Sequence, residues 1–398
     1  MTPLMFRILF PLTLTLVLTL VLAACGSATI AMDARFGKPV TKLEVARALA
    51  VQTGRLAVTF EGKNLAELDL RRLNLSGVVF TKAYLHKIDL RDTKLIRARL
   101  EGADLTDANL ANADLRGADL RGANLEDADL TGADLTEADL SGANLQNANF
   151  NRALIRGLKL ASANMREAKF VNVYFGDTQL DKMDLRDVVF KGSDFSHAVM
   201  RGAILEGADL RGVNFNQANL EGTKMARAQL QLADLSEAHL QDVDFINADL
   251  EGCDLRGANL YNAKMGDVVL RKALLRGANI SEVDLTGADL REANLFQTTA
   301  THSRFVWADL TDAVMTRGDF TGSIFDDAKM SRVNLLLGNL KDTSLVAANL
   351  SAANLREVDF QGADIRGANF RDADLGNAKN LYRAIGLEKA LHLDEATL

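Results

Sequence analysis

The residues of this chain that could do chemistry are its aspartates, five histidines and two cysteines. Paired carboxylates can act as acid and base, histidine and cysteine clusters hold metals, and a thiolate attacks electrophiles. Each of these needs its own spacing. The histidines (His86, His197, His239, His302, His392) share no spacing with one another or with Cys253 that matches a metal site. No Gly-rich phosphate loop follows a strand pattern and opens a helix, and no Ser, His and Asp set stands out. Twenty-two aspartates fall at one fixed phase of a five-residue repeat, just before a large apolar residue. Carboxylates repeated at that rate read as surface solvation and bonding to neighbouring turns. The expectation is no catalytic residue, no metal and no cofactor.

The element that must position these groups is the repeat itself. From Phe60 to Leu375, every residue whose number is a multiple of five is Leu, Phe, Met or Ile, with Ala300 the one exception among 64. Two residues earlier Ala fills 37 of 64 positions, the bulky or charged exceptions being Lys63, Leu68, Leu73, Ile88, Leu158 and Met183. Five is neither the period of a helix nor that of a strand. Two positions spaced by two point the same way in an extended segment, so the small and the large residue both face inward. A bend once per repeat then resets the phase, at residues such as Gly and Asn that tolerate it. The chain coils about its own apolar axis, and successive coils pair their backbones at about 4.8 Å. Proline usage agrees: Pro3, Pro11 and Pro39 are the three in the chain, so every later residue keeps its backbone donor. The net charge of -7, from 46 basic and 53 acidic side chains, singles out no strongly acidic or basic partner.

Tandem A(D/N)LxG, as in Ala103-Asp104-Leu105 and Ala118-Asp119-Leu120-Arg121-Gly122, resembles the pentapeptide-repeat family over residues 56–378. The resemblance implies an all-β solenoid, a right-handed quadrilateral β-helix with four repeats to a coil. Phenylalanines spaced by 20 (Phe150, Phe170, Phe190 and Phe175, Phe195, Phe215) fit stacked core ladders of such a coil. Sixty-four repeats make about 16 coils, a rod of roughly 75 Å. Both ends of a solenoid need covers. Residues 41–55 are expected to form an N-terminal helical cap, with Thr41 and Glu44 spaced as a capping box and Gly54 as the stop. Residues 379–398 abandon the repeat and read as a C-terminal helical cap broken at Gly386.

The first 24 residues have the layout of an export signal, with Arg7, an apolar run from Ile8 to Ala24 and small residues before Cys25. The run falls a little short of the roughly 20 residues of an uncleaved spanning helix, the alternative reading. Leu22-Ala23-Ala24-Cys25 resembles the lipobox of bacterial lipoproteins. That resemblance implies cleavage before Cys25, lipidation of Cys25, and residues 25–40 as the tether. With Gly26 rather than Asp after the cysteine, it also implies the outer membrane of a bacterial envelope, facing the periplasm. Cys253, at the small inward phase, is then the one free thiol and is expected to be buried and inert.

Departures from the repeat are where a contact surface would show. Large apolar residues replace Asp or Asn at Leu154, Tyr174, Val189, Val199 and Ile204, with Leu154 and Tyr174 expected as stacked neighbours. A second window holds Phe296, Ala300 and Trp307, the only tryptophan, with Leu336 beyond it. Leu154, Tyr174, Val189, Ile204, Phe296, Trp307 and Leu336 are the candidate interaction surface, against the alternative of repeat decay without a partner. Arg71, Arg91, Lys191, Arg211, Arg271, Arg291 and Arg371 share one phase modulo 20, either paired locally with Asp or forming a stripe for an anionic surface polymer. The expected function is a non-catalytic, lipid-anchored rod that binds the membrane through its lipid and an envelope protein or anionic polymer through its surface, with no nucleic acid. The alternative is the branch of the family that mimics duplex DNA and protects type II topoisomerases. An export signal and nearly balanced charge weigh against it.

Overall fold

The computed structural model describes residues 37–51 and 57–397. Residues 1–36, with Cys25 and the signal-like segment, and Gly54 lie outside the described residues. Among the described residues no helix is long and apolar enough to cross a membrane.

The repeat becomes a four-sided coil because residues 20 apart pair in parallel. Side 1 runs from Thr59 to Lys379 in steps of 20, side 2 starts at Asn64, side 3 at Asp69 and side 4 at Asn74. Each side counts seventeen strands, one more than the repeat arithmetic gives, for a rod of about 80 Å. The multiple-of-five residues and the small residues two before them fill the interior, nearly all of them fully buried. Each buried Leu or Phe contributes roughly 1.5–3 kcal/mol by leaving water.

In each paired repeat four of the five backbone donors find backbone acceptors. In the repeat that starts at Leu100, the Leu100 N–H donates to the Asp119 carbonyl of the next coil, and the Gly102 N–H to Arg121. The Ala103 N–H closes the turn onto Leu100, and the Asp104 N–H reaches back to Ala83. The fifth donor, one residue after the large apolar one, has no backbone partner. Where Asp or Asn stands two residues before it, that side chain takes it, as Asp104 Oδ1 takes the Thr106 N–H (3.1 Å) and Asn109 the Ala111 N–H (3.1 Å). Asp and Asn therefore recur because the coil leaves one donor per repeat orphaned. Proline is missing from the coil, where four of the five positions of a repeat commit their backbone donor to another backbone group.

The bend sits on residues whose numbers end in 2 or 7, all with φ between 52 and 72° from Gly62 to Asn377. Only twenty of those 64 are glycine. The rest, Leu232 and Trp307 among them, hold a left-handed conformation that costs an L-residue roughly 1–2 kcal/mol. Cooperative pairing to both neighbouring coils offsets that cost.

Ala300 leaves room in its column of core residues, and Phe320 one coil above is fully buried with its ring folded back over Gly318. The small phase at 318 is Gly rather than Ala for that reason: a Cβ there would lie 2.5 Å from the ring.

The N-terminal cap is helix α1, Lys42–Ala50, opened by the Thr41 and Glu44 capping box and burying Val45 against the first coil. The C-terminal end differs from the expected helical cap. Lys379, Ile385, Leu391 and Thr397 add one more coil to the ladder at a spacing of six residues. The sixth residue of each repeat makes a 3-10 turn, at Leu381–Arg383, Leu387–Lys389 and Leu393–Glu395. Leu381, Leu387 and Leu393 alternate with Ala384, Ala390 and Ala396 at a spacing of three, which mimics a helical stripe while continuing the large and small core phases.

The ladder is broken once on each side. Leu154 does not pair with Tyr174 (side 4), Lys159 with Gln179 (side 1), Asn164 with Asp184 (side 2), or Val189 with Asp209 (side 3), whereas every other neighbour along the described rod is paired. Together the four gaps form one fissure around the coil. It divides an N-terminal stack, which includes the strand at Val189 bonded to Lys169, from a C-terminal stack that begins at Tyr174.

Candidate interaction surface

The aspartates are committed to structure by geometry. Where Arg follows Asp by two residues, the carboxylate takes both its backbone N–H and its guanidinium. Asp114 holds Arg116 at 2.7 and 2.8 Å and Asp119 holds Arg121 at 2.7 and 2.8 Å. The aligned basic residues resolve the same way: Arg71, Arg91, Arg211 and Arg291 clasp Asp69, Asp89, Asp209 and Asp289, while Arg271 pairs with Glu251 and Arg371 with Glu395. These six of the seven aligned cations are locally matched.

The clasping guanidinium, with the backbone donor, holds the carboxyls of Asp114, Asp119, Asp209, Asp289 and Asp364 below their ordinary 3.8. A depressed carboxyl stabilises the fold above its unfolded value and loses that contribution as pH falls through the folded one. Thermal unfolding midpoints should therefore stay flat from about pH 7 to about pH 4 and drop below that. A midpoint that already falls between about pH 7 and pH 5 would show that other groups control stability.

Cys253 is buried, and burial pushes its thiol up, which suits a core filler and not a nucleophile. Among the described residues no group of His, Cys, Asp and Glu could hold a metal ion.

The candidate contact residues fall into two sets. Leu154 (59 % exposed) and Tyr174 (51 %) lie on side 4 and Val189 on side 3, all exposed, while Ile204 on side 2 is half-buried. No single side unites them. The expected stacking of Leu154 on Tyr174 is absent, because the ladder is open between them and the Tyr174 ring is folded over Gly176 instead. Leu154, Tyr174 and Val189 are lips of the fissure. On side 2 the opening forms a cavity of about 560 Å³ lined by Ala163, Asn164, Arg166, Asp184, Arg186, Asp187, Glu206 and Arg227.

In the second set, Phe296 and Leu336 are half-buried on the corner between sides 4 and 1, and Arg276 lies 5.2 Å from the centre of the Phe296 ring. Trp307 (65 % exposed) stands on the opposite corner, between sides 2 and 3. Leu232 (75 % exposed) belongs with Trp307 and is new from the structure: both are large apolar residues on a left-handed turn position. Its signal was present, since Leu232, Trp307 and Leu337 are the large apolar residues at that phase.

A family model of pentapeptide repeats matches the chain in successive stretches from residues 60–95 to 339–379. No curated protein matches it. Among solved structures it is 28 % identical to HetL, a pentapeptide repeat protein involved in heterocyst differentiation regulation in Nostoc sp. strain PCC 7120, over 65 % of this chain and 97 % of that one (TM-score 0.29). It is 30 % identical to Rfr23 of the cyanobacterium Cyanothece 51142, over 25 % of this chain and 82 % of that one (TM-score 0.25). A thylakoid-lumen pentapeptide repeat protein of Arabidopsis thaliana is 35 % identical over 25 % of this chain and 67 % of its own (TM-score 0.18). With its five-residue phase, its four-sided ladder and a family match over most of its length, the chain belongs to the pentapeptide-repeat family.

Proposed function

We propose that the protein is a non-catalytic, lipid-anchored component of a bacterial envelope, held in the outer membrane by Cys25, whose rod is a protein-binding or structural scaffold. The observation that carries the non-catalytic part is the fate of the Asp and Asn side chains. The most numerous polar groups of the repeat are consumed by the orphaned backbone donors and neighbouring arginines, as at Asp104 and Asp114. What is left for recognition is shape and the apolar departures, of which Trp307 and Leu232 are the most exposed between Phe60 and Leu375. The right-handed sense of the coil is taken over from the family with this reading.

The anchor is supported by the signal-like run and the Leu22-Ala23-Ala24-Cys25 tetrapeptide. Fatty-acid labelling with membrane fractionation tests it. The natural chain should take the label and enter the outer membrane, and Cys25→Ala should lose both. An unlabelled cytoplasmic protein in both cases would overturn the reading, and type II topoisomerase inhibition would then be the assay to run.

A further inference from the structure

The fissure coincides with the residues that fit the repeat worst. Among interior coils, Leu158 and Met183 put a long side chain at the phase that elsewhere holds Ala, Val, Thr, Ser, Cys or Gly, apart from Ile88 near the N-terminal end. Leu158 borders the gap from below on side 1, and Met183 borders it from above on side 2. Leu68 and Leu73 share the phase but sit in the first coil, with only the cap beneath them. Valine alone does not open the ladder, since Val213 and Val243 lie in normally paired coils. An added side chain at an Ala-sized position must move its neighbours, and here the neighbour along the axis is the next coil.

Backbone and core behave differently at this level. The strand centres from Leu154 to Val189 are all exposed, and Ala163 is only half-buried at a phase where the alanines of the paired coils are buried. Six phenylalanines nevertheless keep the interior continuous. Phe150, Phe170 and Phe190 stack within the N-terminal stack at 4.7 and 6.0 Å, and Phe175, Phe195 and Phe215 within the C-terminal stack at 4.4 and 5.2 Å. The two columns meet across the fissure. Phe190 stands edge-on to Phe175 (5.6 Å) and to Phe195 (5.0 Å), and Phe170 is tilted against Phe175 (5.2 Å). The strand at Val189 also ties the stacks covalently, bonding to Lys169 below while the residues on either side of it, Asp184 and Asp194, belong to the stack above.

We propose that the fissure is a hinge: the rod is two rigid stacks that pivot about the strand at Val189 and the phenylalanine cluster, with Leu158 and Met183 wedging the ladder open. Burial of the apolar rings is non-directional and survives a tilt that in-line backbone bonds would resist. Pivoting changes the separation of Leu154 from Tyr174, so the lips of the hinge are themselves candidate contact residues. The hinge stands without the anchor and without any partner.

The test measures the distance across the fissure in the full chain with Cys25→Ala, where Cys253 is buried and does not react. Nitroxide labels at Asp127→Cys and Asp327→Cys sit on the same corner ten coils apart, about 48 Å if the rod is straight. The hinge predicts a broad distribution that narrows about twofold or more when Leu158→Ala and Met183→Ala are added. A narrow distribution without those two substitutions, or one they leave unchanged, overturns it. If the double variant does not fold, Leu154→Cys with Tyr174→Cys serves instead. The hinge predicts that this pair forms a disulfide in its closed excursions, as the paired control Tyr174→Cys with Asp194→Cys does. A control that forms while the fissure pair stays reduced overturns the pivot.

Discussion

Phe190→Ala should split the unfolding of the rod into two separate transitions and lower its stability by about 3–5 kcal/mol. Phe190 is fully buried, and its strand is bonded to the N-terminal stack through Lys169. Its ring also lies edge-on to Phe175 and Phe195 of the C-terminal stack. Along the rest of the rod, coils are coupled both by backbone pairing and by core contact. At the fissure the ladder term is missing on every side, so core contacts, the aromatic cluster among them, carry the coupling between the stacks. A solenoid whose interface energy drops at one level unfolds as two units. Calorimetry and denaturant titration with probes in each stack check this. A variant that still unfolds in one transition would show that the stacks are coupled by something other than these rings.

Gly318→Ala should destabilise the protein by about 1–3 kcal/mol even though it installs the commonest residue of that phase. The new Cβ would lie 2.5 Å from the Phe320 ring, which cannot move away without leaving a cavity in the column above Ala300. Adding Phe320→Leu should recover part of the loss, because the smaller side chain leaves room for the Cβ. If Gly318→Ala alone is neutral or stabilising in thermal melts, the account of Ala300, Phe320 and Gly318 as one packing unit is wrong.

These two variants mark the boundary of what the sequence makes legible. The period of five, the inward pair and the need for a bend follow from residue types alone, and the N-terminal cap follows from Thr41 and Glu44. Leu381, Leu387 and Leu393 misled because a spacing of six is compatible with a helical stripe and also with a coil having one extra residue per side. Leu154 and Tyr174 misled because a separation of 20 implies contact only if the ladder between them is closed. Leu158 and Met183 were visible as bulky exceptions, but a one-dimensional pattern does not tell whether a long side chain is absorbed, as at Ile88, or pushes the next coil away. That outcome depends on the volume available along the axis.

The abundance of Asp and Asn is a similar case. Composition identifies them as regular, and the structure supplies the reason, one orphaned N–H per repeat. The reason separates them from Leu232 and Trp307, which bring apolar bulk to exposed left-handed positions where Gly or a polar residue would serve the fold better.

The central claim is that one ladder pairs all neighbouring coils of the described rod except at a single fissure, marked in the sequence by residues that depart from the repeat. Amide hydrogen exchange along the intact chain tests it most directly. The account predicts slow exchange for the amides between Phe60 and Leu375 that are bonded to a backbone carbonyl of a neighbouring coil. Fast exchange is predicted at Ile155, Leu160, Met165, Tyr174, Gln179, Asp184, Phe190 and Asp209, whose ladder partners lie across the gap. Uniform protection through these residues, or a second unprotected level elsewhere in the coil, would contradict it.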